Sequence, residues 1–175
     1  SELDRITDVD AELMADEERG LIYAASFGGE LAALGDSDGQ VRWRRSIRSF
    51  SGFARFDKTL IVTDEVGTVF ALDAETGAQL WKQDALLNRG LSLPVALGGF
   101  AVVTDAAGYL HWLDAKDGKL SGRLHLAGVE HGNPRNEART RGTSTGFATP
   151  PVATEDRVYV MSASGHIAAI RAEPK

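Results

Sequence analysis

The strongest constraint on this chain is that it repeats itself. Three stretches align without gaps: GGELAALGDSDGQVRW at 28–43, VGTVFALDAETGAQLW at 66–81 and AGYLHWLDAKDGKLSG at 107–122. A shorter fourth, SGHIAAIR, occupies 164–171. The anchor glycines Gly29, Gly67, Gly108 and Gly165 are spaced 38, 41 and 57 residues apart, and Gly39, Gly77 and Gly118 each follow ten residues later. A fixed period of this size means one supersecondary unit used several times, so the fold must be read as an array.

Each unit is written in strands. Apolar, β-rich runs (LIYAAS, LIVTD, FAVVTD, VYVMS) precede the anchor glycines, and alternating apolar residues follow them. The turns DSDG, AETG and AKDG come next, then a further strand, all with the side-chain chemistry that closes tight turns. One more short strand fits upstream of each unit, near Val9–Met14, Phe53–Phe56, Leu93–Leu97 and Pro151–Thr154. No segment sustains a 3.6-residue apolar period beyond a short turn near Asp84–Asn88, which excludes helical solenoids. The long apolar stretch 91–110 contains Pro94, Gly98, Gly99 and Asp105, so it reads as two strands meeting at the glycines, not as a membrane helix. Four strands about every 40 residues is the period of a β-propeller blade.

The expected fold is therefore all-β: three full four-stranded antiparallel blades and a three-stranded fourth, about half of an eight-bladed propeller. Blades are expected at 8–47, 50–85, 91–126 and 147–171, with a long polar loop at 127–146. Residues 1–7, with Glu2, Asp4 and Arg5, make a poor closing strand. A half-ring is expected to expose inter-blade apolar faces, and a second copy is a candidate to cover them.

Composition closes several routes. The chain carries 19 Lys and Arg against 25 Asp and Glu, a net charge of −6, which opposes binding to the phosphate backbone of nucleic acid. It has no cysteine, so disulfides, zinc–thiolate sites and cysteine nucleophiles are ruled out.

The segment ALDAETGAQLW at 71–81 resembles the consensus of PQQ-type propeller repeats. More of the chain is similar to one family. LDRITDVD at 3–10, WKQDALLNRGLSLPV at 81–95 and DAAGYLHWLDAKDG at 105–118 resemble the BamB family of the outer-membrane β-barrel assembly machinery. The resemblance implies an eight-bladed, lipid-anchored, non-enzymatic propeller on the periplasmic face of the outer membrane, without cofactor. It implies docking on the POTRA repeats of the barrel-inserting subunit through an acidic pair, here Asp8 and Asp10, with Asp4 and Arg5 in the same segment. It also implies that Trp43 and Trp81 each dock on the following blade.

Other motifs have simpler explanations. Gly142-Thr143-Ser144-Thr145-Gly146 spells a nucleophile elbow, but RNEARTR before it and FATPP after it do not supply the strand and helix that expose such a serine. Asp36, Asp38, Asp73, Glu75, Asp114 and Asp117 sit in turns where a carboxylate bonds its own backbone, and DSDG lacks the later acidic ligand of a calcium loop. His111, His125, His131 and His166 show no ligand spacing, and His111 and His166 read as packing or surface residues. Arg42, Arg44, Arg45 and Arg48 mark an outer strand guarded against edge pairing. No catalytic or metal-binding residue is expected. The residues themselves leave two other readings open: a fragment of a PQQ-dependent dehydrogenase, and a generic adaptor propeller.

Overall fold

A computed structural model describes residues 13–25, 29–49, 52–126, 146–163 and 165–171. These residues form four antiparallel sheets in chain order. The first contains β1 (Met14–Asp16), β2 (Leu21–Ala25), β3 (Glu30–Gly35) and β4 (Val41–Ser46). The second contains β5 (Phe53–Phe56), β6 (Thr59–Thr63), β7 (Val69–Asp73) and β8 (Gln79–Gln83). The third contains β9 (Val95–Leu97), β10 (Phe100–Thr104), β11 (Tyr109–Asp114) and β12 (Leu120–His125). The fourth has three strands, β13 (Val152–Ala153), β14 (Arg157–Met161) and β15 (Ile167–Arg171). Each sheet is a meander of neighbouring hairpins, and the architecture is three full propeller blades plus a three-stranded fourth.

The repeat is kept down to its irregularities. The first three blades each carry a register shift at the same step of the third strand: Ala33/Leu34, Ala71/Leu72 and Trp112/Leu113. Gly98 and Gly99 join β9 to β10 with φ of 54° and 86°, a two-residue hairpin that needs positive φ at both positions. Of the expected innermost strands, Phe53–Phe56 forms with those bounds as β5, residues 9–12 lie outside the described residues, and the other two are shorter than expected. β1 covers Met14–Asp16, β9 starts at Val95 and β13 keeps two residues. Pro94 has no N–H for a sheet ladder. In front of it Ser92 closes the edge differently, its N–H donating to the Thr104 carbonyl (2.9 Å) and its Oγ accepting from the Thr104 N–H (3.0 Å).

The core lies between blades. Leu60, Val62 and Leu72 of the second blade pack against Tyr23, Leu31 and Trp43 of the first. Ala101, Val103 and Leu113 of the third pack against Ile61, Val69 and Trp81 of the second. Val158 and Val160 of the fourth pack against Leu97, Val102 and Leu110 of the third. Period-two alternation places one face of a middle blade in each of two seams, so its central strands read as almost continuous apolar runs.

Candidate functional site

The first two seams are latched in the same way. The Trp43 Nε1–H donates to the Ala74 carbonyl of the next blade at 3.1 Å. The Trp81 Nε1–H donates to the Ala115 carbonyl at 2.9 Å. Each indole lies against the glycine of the next blade's turn: a Cβ on Gly77 would sit 2.6 Å from the Trp43 ring, and one on Gly118 2.5 Å from the Trp81 ring. Both glycines also hold positive φ, 68° and 73°, so conformation and contact demand the same residue. The Tyr23 hydroxyl reinforces the first latch, lying 3.2 Å from the same Ala74 carbonyl and 3.3 Å from buried Asp16. Arg19 and Arg55 also meet Asp16, each at 3.2 Å. Burial, then the Asp16 charge and hydrogen bond, push the Tyr23 phenol up to about 12.

The third seam departs from the pattern. Where blades one and two pair Ala33 with Trp43 and Ala71 with Trp81, the third pairs Trp112 with Gly122. The indole has moved from the outer strand to its neighbour. Trp112 packs towards the fourth blade with Val158 and Val160, and its Nε1 has no hydrogen-bond partner among the described residues.

Removing the tryptophan from β12 leaves all six of that strand's residues exposed. A cleft of about 340 Å³ opens there, between the 84–89 segment leaving the second blade and the outer half of the third. Leu86, Arg89, His111, Leu120, Gly122 and Arg123 contribute to its wall. His111 is buried at 1% exposure, and its Nε2 lies 2.8 Å from Asp105 Oδ2. Arg89 Nε meets that same oxygen at 2.5 Å. Asp105 Oδ1 accepts the backbone N–H groups of Ala107 and Tyr109, each at 3.0 Å.

The electrostatics follow from these partners. Burial alone would raise the Asp105 carboxyl, but hydrogen bonds from His111, the Tyr109 amide and Arg89 outweigh it and hold the group below its ordinary value. Burial pushes His111 down, and the hydrogen bond and charge of Asp105 do not offset it. The pair is therefore carboxylate and neutral imidazole at neutral pH. Since the carboxylate only accepts, Nε2 carries the imidazole proton. On the same face Arg89 and Arg123 lie over the Tyr109 ring at 5.3 and 4.9 Å, and the His125 ring packs on it, tilted by 31°, at 4.2 Å.

Asp4, Arg5, Asp8 and Asp10 lie outside the described residues, as do Gly142, Thr143, Ser144 and Thr145. The turn carboxylates engage their own loops: Asp38 accepts from the Gln40 N–H (3.0 Å), Asp73 from Thr76 (2.8 Å) and Asp114 from Lys116 (2.8 Å). Among the described residues no three His, Asp or Glu side chains gather to hold a metal ion. The arginine cluster is dispersed. Arg42 pairs with Asp38, Arg44 with Glu30 and Arg48 with Glu65, while Arg45 donates to the Gly77 carbonyl of the next blade. Sequence reasoning missed the Arg89–Asp105–His111 cluster. Its signal was a histidine at the position held by Ala32 and Phe70 in the preceding repeats.

Comparison with known proteins places this geometry. The family model described as outer membrane protein assembly factor BamB matches residues 1–83 and 28–174. The outer membrane protein assembly factor BamB of Alkalilimnicola ehrlichii is 37% identical over 98% of this chain and 40% of its own length. That of Escherichia coli is 31% identical over 97% of this chain and 39% of its own length. The crystal structure of BamB from Moraxella catarrhalis, 24% identical, shares the fold with a TM-score of 0.77 over 98% of this chain and 45% of that one. The chain thus spans about two fifths of the curated relatives it matches. Repeats, blade geometry and these matches agree, and the chain belongs to the family of the outer membrane protein assembly factor BamB.

Proposed function

We propose that this chain is the C-terminal part of a non-enzymatic scaffold of the outer-membrane β-barrel assembly machinery. It works at the periplasmic face, in a parent protein held there by a lipid anchor, and docks on the POTRA repeats of the barrel-inserting subunit. The supporting observation is its likeness, over nearly its whole length, to proteins named outer membrane protein assembly factors. The latched seams suit such a role, because a rigid ring holds its inter-blade loops in fixed positions for a partner to read. The contact is assigned to Asp8 and Asp10, with Asp4 and Arg5 beside them. Two carboxylates two positions apart in an extended segment face the same way. Against basic side chains they would set orientation and on-rate more than affinity.

The test is a calorimetric titration with soluble POTRA repeats from the same host, using this chain, its Asp8→Lys/Asp10→Lys variant and the longer parent protein. Binding lost in the variant, with an unchanged circular dichroism spectrum, is the expected result. Binding unaffected by the double change would remove the acidic pair from the interface. No binding by the parent would overturn the docking itself.

A further inference from the structure

The outer cleft of the third blade is lined by groups that the docking proposal does not use. We infer that it binds the carboxylate side chain of an acidic residue in an extended polypeptide, with Arg123 taking the carboxylate and His111 an adjacent backbone N–H.

Three observations carry this. The first is a comparison inside the molecule. In the seam one blade earlier the position of His111 belongs to Phe70 and that of Arg123 to Lys82, whose ammonium lies 5.8 Å from the Phe70 ring centre. Phe70 packs into the core of its seam. The third blade has a polar ring there instead, with an open volume of about 340 Å³ beside it, at the small end of the roughly 300–1,000 Å³ of ligand sites.

The second observation is charge. Arg89 is neutralised by Asp105. Arg123 lies over Tyr109 and meets no carboxylate among the described residues. Among the described residues the site therefore offers one guanidinium without a carboxylate partner, in a chain of net charge −6. A planar guanidinium matches a carboxylate through two parallel hydrogen bonds.

The third is the state of His111. With its Nε2 proton committed to Asp105, the ring leaves Nδ1 as an acceptor with no partner among the described residues, and this ring forms part of the cleft wall. An acceptor beside a cation calls for a ligand that carries a donor next to its anion. The N–H of a peptide bond supplies that donor, whereas acetate has none. Leu120 on the rim, 43% exposed, and buried Leu86 in the wall give the flanking apolar contact that a peptide has and an inorganic ion lacks.

The experiment titrates acetyl-Leu-Glu-Leu-amide, its Gln counterpart, acetate and inorganic phosphate into the isotope-labelled chain. Amide shifts at Ser121, Gly122 and Arg123 are followed by nuclear magnetic resonance. The Glu peptide is expected to saturate these shifts and to bind at least tenfold tighter than the Gln peptide or either ion. Arg123→Gln, a surface change, is expected to abolish the difference between the two peptides. His111→Phe, which copies the preceding blade, is expected to close the cleft and remove the shifts. Equal binding of the two peptides, a preference that survives in Arg123→Gln, tighter binding of phosphate, or no binding at all would each overturn the assignment.

Discussion

The contact between a tryptophan of one blade and a glycine of the next makes a quantitative demand. In Gly77→Ala the new methyl would stand 2.6 Å from Cδ2 and 2.7 Å from Cε3 of Trp43. The indole cannot retreat freely, because its Nε1–H is held at 3.1 Å by the Ala74 carbonyl three residues before that glycine. Forcing a methyl into a packed contact costs about 1–3 kcal/mol. A side chain at φ of 68° adds about 1–2 kcal/mol. The sum is a loss of about 2–5 kcal/mol. Gly98 supplies the control. Its φ is also positive, at 54°, yet nothing lies within 4 Å of the position its Cβ would take. Gly98→Ala therefore carries only the conformational cost, about 1–2 kcal/mol. Urea denaturation of both variants and wild type, followed by circular dichroism with the slope held in common, isolates the clash as the difference. If Gly77→Ala costs no more than Gly98→Ala, the glycine is there for its backbone alone and the latch yields without penalty.

Three further outcomes follow from the same geometry. Gly122 is in a strand without positive φ, and a Cβ there would meet Trp112 at an ordinary 3.7 Å, so Gly122→Ala should stabilise the chain by about 0.5–1 kcal/mol, opposite in sign to Gly77→Ala in the same assay. Tyr23 ionises at about 12 in the folded chain against about 10 when unfolded. Its contribution is therefore complete below about pH 10 and is lost as pH rises towards 12, so urea midpoints of Tyr23→Phe should fall less steeply over that window than those of wild type. Val152 and Ile167 of the fourth blade are 62% and 72% exposed, and light scattering on the isolated chain should show concentration-dependent dimers; a monomer at millimolar concentration would refute association through that face.

Much of the fold was legible because the repeat is written in residues whose roles are local. Gly77 and Gly118 mark turns that only positive φ can close, and β6 and β10 are runs too apolar to face water on either side. The innermost strands were less legible. β1 ends in Asp16, a carboxylate that reads as solvent-facing until Tyr23 of β2, Arg55 of β5 and Arg19 of the intervening turn close around it. The cleft was not legible at all. Asp105 and His111 are six residues apart and meet through the pairing of β10 with β11, while Arg89 is brought to them by the Ala106 N–H bond to its carbonyl. The exchange between Trp112 and Gly122 was half visible. The missing tryptophan shows in the alignment, but its replacement one strand inward requires the cross-strand register.

That exchange also sets where the molecule comes apart. Seams one and two are each fastened by an indole N–H on a neighbour's carbonyl and by a glycine shaped to receive the ring. The third joint has the indole without that bond among the described residues. In an array whose units touch only their neighbours, stability is a sum over joints, and opening begins at the weakest. The fourth blade is then the hinged leaf of the structure. Its backbone amides should exchange with solvent ahead of the others, while the first three blades persist as one cooperative block.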